Sequence, residues 1–486
     1  MSLPWLSILF LGPLLAALLV ALAPVRWARW LAAASMGGSL LAAGAALLAF
    51  VPAGARFQLI ERMPWVPMLG IDYFLAVDGL SVLFLPATAL LFLGTLVVGW
   101  RQPGLRDGRG VAVSLLALQS ITVGVFCAMD LVLFFLCWEL SILPVYALLC
   151  QAGVTAGARA AATRYALLML GGGFPLLLAI VILIGGAPAG AADLPSLLAE
   201  PLPLGRQYLI LGLGLLAFGL KVPLVPLHTW LPPIALAGPG GLTALLVGLK
   251  IGAYGLIRFA LPLAPQAAAD AYWLLAGLGT VSVIYGAVGM LAQSNLRVAM
   301  AYSSISHVGL VVLGVASLTV DGVLGGISLL LNFALATGGS FLLLACLHQR
   351  TGSTDVAALG GIVQRAPWLA AGVLFCGLAG IGLPLTSGFH GEWMLIAATL
   401  GRHTGAGMAA LFGLAIGASA FVALYRQAFW GEVRTAPVAP MQDLTGRERA
   451  VLWSLFGLIL VIGLYPAPWL DIVRPAAQAW AAGFGR

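Results

Sequence analysis

A chain of 486 residues that is 62% hydrophobic and 8% charged, with a mean hydropathy of +1.08, is too apolar for a soluble domain. Its net charge of +7 is therefore no nucleic-acid footprint; arginines in loops facing an anionic membrane surface account for it. Apolar stretches of about 20 residues follow one another, without the alternation of a membrane barrel. The predicted fold class is all-α and polytopic.

In chain order, about fourteen spans are expected by length and hydropathy, near 3–23, 28–50, 76–99, 111–129, 131–151, 161–185, 207–231, 240–261, 272–292, 297–316, 322–347, 369–400, 405–430 and 448–466. The first lacks a basic leader and reads as a span, not a cleaved signal. Loops are short, and one of the longest is near 185–206. The five cysteines, Cys127, Cys137, Cys150, Cys346 and Cys376, lie in apolar segments without ligand spacing and read as small core residues.

Two spans read as broken. In "LAFGLKVPLVPLHTWLPP", 216–233, Pro223 and Pro226 follow Lys221; in "GLAGIGLPLTSGFHGEWMLI", 377–396, Pro384 sits among glycines. Proline removes a backbone donor, and a break at membrane depth survives only where protein or trapped water satisfies the freed groups. Two breaks five spans apart predict two inverted five-helix repeats, against the simpler alternative of two unrelated kinks. The expected organisation is N-terminal helices at 1–110, a first repeat at 111–261, a second at 272–430, and a C-terminal helix and tail at 431–486.

Alternate loops divide the 21 arginines unevenly. One side holds 14: Arg26, Arg29, Arg101, Arg106, Arg109, Arg159, Arg164, Arg297, Arg350, Arg365, Arg426, Arg434, Arg447 and Arg449. The positive-inside rule makes that side cytoplasmic and places both termini in the periplasm.

Few charges remain at membrane depth: Glu139, Lys221, Lys250 and Glu392, with His228 and His307 as polar companions and Asp130 marking a span end. Such residues are costly and usually line ion paths. The competing explanation is a buried ion pair that fixes packing. Lys221 and Lys250 are the only lysines among 23 basic residues, and both lie inside spans. Static pairing and interfacial anchoring would accept arginine. Only lysine can release its proton, so the pattern points to protonation chemistry.

At these residues the chain resembles the proton-translocating antiporter-like subunits of respiratory complex I (NADH-quinone oxidoreductase), within the Mrp-antiporter-related superfamily. "DLVLFFLCWELSILPVYALL", "LKVPLVPLHTWLP", "LKIGAYGLIRF", "NLRVAMAYSSISHVGLVVLG" and "GLPLTSGFHGEWMLI" carry the resemblance over about residues 70–430. It implies that Glu139, Lys221 and Lys250 are coupling residues. It also implies that Glu392, where related branches hold lysine, marks the M-type branch. Glu392 is expected inside the bundle near the second break as the outward proton site, against the alternative of a carboxylate capping the half-helix after Pro384. Two features depart from the family. Its acidic LPDAH segment reads here "LPPIALAGPGG", and a histidine of the eleventh span is replaced by Phe333, beside Asn332. The expected rewiring runs through Asn332, Ser340 and water.

The expected partners are the other membrane subunits of a redox-driven complex, including neighbouring antiporter-like subunits, the bilayer and protons, with no nucleic acid. No nicotinamide, flavin or iron–sulfur motif is present in the sequence, so no cofactor is assigned and electron transfer falls to partner subunits. The expected location is the bacterial inner membrane. The alternatives are a paralogue in a hydrogenase- or bicarbonate-linked complex, a Mrp-type Na⁺/H⁺ antiporter subunit, a self-standing transporter and a purely structural scaffold. The last leaves both buried lysines unexplained.

Overall fold

In the computed structural model, which describes residues 3–100, 108–186, 191–200, 202–433, 438 and 440–484, the chain is a helical bundle. Ten of the described helices are long and apolar enough to cross a membrane, and the pair Gly446–Leu464 and Ala467–Ala482, bent by 71°, would make an eleventh. Two shorter apolar helices, Phe84–Gly99 and Pro367–Gly380, fall within expected spans. A count of fourteen thus rests on assigning short and broken helices to the bilayer as well. Arg101, Arg106 and Arg434 lie outside the described residues.

The bundle is built around Leu296–Val315 and Val320–Thr351, which are the most deeply buried spans, while Trp5–Leu22 and Val25–Ala49 lie at the periphery. Lipid supplies no hydrophobic drive between helices, so close backbone approach matters. Gly286 and Gly309 provide it between Tyr272–Leu291 and Leu296–Val315. A Cβ on Gly286 would lie 2.4 Å from Ser306 N, and one on Gly309 would lie 2.7 Å from Gly279 O. Four cysteines are buried and Cys150 is half-buried, all as free thiols.

Both proline-rich stretches break their helices. Leu204–Lys221 stops at Lys221 and the chain resumes as Leu231–Ala237; Pro367–Gly380 stops at Gly380 and resumes as Ser387–Arg402. Two further irregularities were not expected. The span Gly240–Ala260 is interrupted at Lys250 and ends in a π-helical turn, Leu256–Ala260, and Val320–Thr351 contains another, Phe333–Thr337. Such turns often mark functional positions.

A β-hairpin also went unforeseen. Gln58–Val66 pairs antiparallel with Ile71–Val77, so the helix expected from 76 begins only at Phe84. The Glu61 carboxylate accepts from Leu6 N and Ser7 N at 2.8 Å, satisfying orphan donors of the first helix. Arg62 bridges Asp72 at 2.6 Å and Asp193 at 3.2 Å. Asp130 caps Leu131–Leu140 through Val132 N and Leu133 N and also accepts from Asp72 N. This polar collar sets the height of the helix that carries Glu139. The expected C-terminal tail is instead helical over Ala467–Ala482, with Trp480 Nε1 donating to Ile257 O at 2.7 Å.

Candidate functional site

Lys221 projects from the end of its broken helix. Its Nζ donates to the Trp138 carbonyl and to Ser141 Oγ, both at 2.9 Å, and lies 3.9 Å from the Trp138 ring centroid. The ring's quadrupole attracts an ammonium in that position. These neutral groups flank Glu139, yet among the described residues no ion pair joins Glu139 to Lys221. Glu139 Oε1 is buried without a hydrogen-bond partner. It rests on Gly173, where a Cβ would stand 2.2 Å from it. The glycine makes room for the carboxylate.

Lys250 adopts a left-handed backbone, φ 44° and ψ 42°, uncommon outside glycine and a mark of local constraint. Its Nζ makes a short hydrogen bond to Ser304 Oγ and lies 5.3 Å from the Phe333 ring centroid. Lys221 and Lys250 line one internal cavity of ≈ 40 Å³ with Ser141, Tyr165, Thr122 and Trp230. A water needs about 10–15 Å³ of such volume and two or more polar partners, so the cavity beside the two amines has room for about three waters. The break is packed tightly behind them: a Cβ on Gly252 would lie 2.8 Å from Val222 N.

A second site is formed by His307 and Glu392, with Nε2 and Oε1 at 3.5 Å. His307 Nδ1 lies 2.7 Å from Ser303 O. A carbonyl only accepts, so Nδ1 carries a proton and Nε2 is the atom that exchanges one. The Glu392 carboxylate lies against Gly382 of the second break, φ 70°, where a Cβ would be 2.2 Å from Oε2. Glu392 therefore faces the broken segment and the bundle interior.

Other expectations need correction. Asn332 does not bridge the relay. Its Nδ2 donates to Ala379 O at 3.2 Å and its Oδ1 accepts from Ser387 Oγ at 2.7 Å, which stitches the two half-helices together. Ser340 lines a separate apolar cavity with Met290 and Tyr425. His228 turns away from the lysine cavity and packs edge-on against Tyr285, with centroids 4.8 Å apart.

Three groups escaped the sequence reading. Asp78 and Arg258 form a fully buried ion pair; leaving either charge unpaired would cost about 3–5 kcal/mol. Arg297 is 1% exposed and binds the carbonyls of Leu236 and Gly238. Arg258 and Arg297, counted above as loop arginines, are thus internal. His390 lines a cavity of ≈ 20 Å³ with Asn332, Ser387 and Trp469, where its Nδ1 and Trp469 Nε1 have no partner. That is room and polarity for one water.

The family described as NADH:quinone oxidoreductase/Mrp antiporter, transmembrane, matches residues 128–417. NADH-quinone oxidoreductase subunit M of Mycobacterium tuberculosis is 32% identical, with 98% of this chain and 94% of that protein covered. The Escherichia coli subunit M is 31% identical, with 99% and 98% covered. A chain of respiratory complex I from Thermus thermophilus superposes with a TM-score of 0.91 at 31% identity, covering 99% of this chain and all of that one. A chain of the Mrp complex from Dietzia sp. shares the fold, with a TM-score of 0.87 at 22% identity over the whole of both chains. With both broken helices, the buried lysines and the histidine–carboxylate pair inside the matched residues 128–417, the chain belongs to the NADH:quinone oxidoreductase/Mrp antiporter transmembrane family.

Proposed function

We propose that the chain is the M-type proton-conducting subunit of an NADH-quinone oxidoreductase complex in a bacterial inner membrane. It would work beside other antiporter-like membrane subunits, and the electron-transfer groups would belong to its partners. The observation that carries the reading is the pair of buried lysines lining one cavity with room for a few waters, each held by neutral acceptors. Such amines can gain or lose a proton without breaking an ion pair. The Glu139, Lys221 and Lys250 groups form the input and central part of the relay, and His307 and Glu392 the outward part. The similarity to the Mrp chain concerns the fold alone. An affinity-tagged chain should co-purify with subunits that oxidise NADH with quinone, and the reconstituted assembly should take up protons on NADH addition. Purification with Na⁺/H⁺ exchange and no NADH oxidation would select the antiporter reading.

The same proposal includes two inverted repeats, 111–261 and 272–430. The broken helix is the fourth of five in each, and an odd spacing reverses its direction across the membrane. Orientation follows from arginine: setting aside the internal Arg258 and Arg297 leaves 13 arginines against six, and the richer side is assigned to the cytoplasm. A reporter fused to the C-terminus should therefore read periplasmic. A cytoplasmic signal would invert this topology.

A further inference from the structure

Phe333 borders both the lysine pair and the His307–Glu392 pair. Its ring centroid is 5.3 Å from Lys250 Nζ and 6.1 Å from that of the His307 ring, and the residue is 1% exposed. A phenyl ring offers no atom that accepts or donates a proton. His307 cannot receive a proton from the Ser303 side, because its Nδ1 is already the donor to Ser303 O. The ring thus sets a group that carries no proton against both ionisable pairs.

Resting on the proton-conducting reading, we propose that Phe333 is a gate between the two halves of the relay, held shut by the charge on Lys250. The ammonium draws the aromatic face toward itself. Once Lys250 has given up its proton that attraction is gone and the ring is free to swing. The backbone allows such a swing, because Phe333 opens the π-helical turn Phe333–Thr337, whose wider winding leaves slack that a regular helix lacks. Gly248, two residues before Lys250, packs against this turn: a Cβ there would lie 3.4 Å from Ala334 Cα and from Phe333 O. With the ring displaced, water connects the two sides. The proton that leaves Lys250 Nζ is held on the water of the cavity it shares with Lys221 until the ring has moved; it then reaches His307 Nε2, and His307 passes one on to Glu392 Oε1, returning to its neutral form. A charged Lys250 closes the passage again, so the lysine cavity and the His307–Glu392 pair are joined by water only while Lys250 is neutral.

The test uses the assembled complex in liposomes under an imposed pH gradient, without NADH, measuring passive proton leak per complex. Hydrophobic constrictions block conduction by excluding water, so Phe333→Ala should raise the leak at least about fivefold, whereas Phe333→Leu, still bulky and apolar, should leave it near the wild-type value. No increase in Phe333→Ala, or equal leaks in the Ala and Leu variants, would overturn the gate. The leak is read without turnover. A wild-type complex that builds no gradient on NADH addition would therefore count against the proton-conducting function and leave the gate comparison intact.

Discussion

Lys221→Arg is expected to yield a fully assembled complex whose NADH-driven proton uptake falls by an order of magnitude or more, because a guanidinium does not give up its proton. The surroundings of Lys221 accept arginine structurally. Its anchors are the Trp138 carbonyl, Ser141 Oγ and the Trp138 ring face. A guanidinium can donate to the same acceptors and stack on the same ring. The adjoining cavity offers space for the larger head group. If Lys221 only stabilised the break as a fixed positive charge, arginine would serve as well, and uptake would match wild type. If Lys221 must alternate between charged and neutral forms, arginine locks the site in one of them. The measurement is proton uptake into proteoliposomes normalised to the assembled complex. Wild-type uptake by Lys221→Arg would return the residue to a packing role.

Much of this site was legible because its chemistry violates its surroundings. Glu139, Lys221, Lys250 and Glu392 interrupt apolar runs, and a chain that otherwise writes positive charge as arginine singles out two lysines. The broken helices were legible for a related reason, since proline cannot donate within a helix. What stayed hidden depends on partners distant in sequence. Asp78 and Arg258 are 180 residues apart. Each looks like a span-end charge until the fold brings them together, and their mutual neutralisation lets both sit in the core. Asn332 resembled a relay group because it neighbours the position where the family holds a histidine; only the fold shows both ends of its amide tied to the second break. The left-handed turn at Lys250 has no glycine to announce it. The hairpin lacks a clean alternation, with Pro64 and Trp65 in its first strand, and falls almost wholly between the expected spans 28–50 and 76–99.

Glu139→Gln separates function from packing most cleanly, since the fold has little to lose from it. Glu139 forms no ion pair among the described residues, and its Oε1 has no hydrogen-bond partner. An unpaired carboxylate at membrane depth is a liability of about 2.5–3.5 kcal/mol on insertion scales for acidic groups, so a neutral isostere should leave assembly unchanged or slightly strengthened. The amide also fits the space over Gly173 that the carboxylate occupies. Lys221 keeps its neutral acceptors at Trp138 and Ser141, and its position does not depend on the lost charge. What the variant removes is the negative charge that stabilises a nearby ammonium through the low-dielectric interior, and with it the means of changing the lysine's proton affinity during turnover. Proton uptake per assembled complex should therefore drop to a small fraction of wild type while the amount of complex on a native gel stays the same. A parallel fall in both would make Glu139 a packing residue, and undiminished uptake in an assembled Glu139→Gln complex would remove it from the relay.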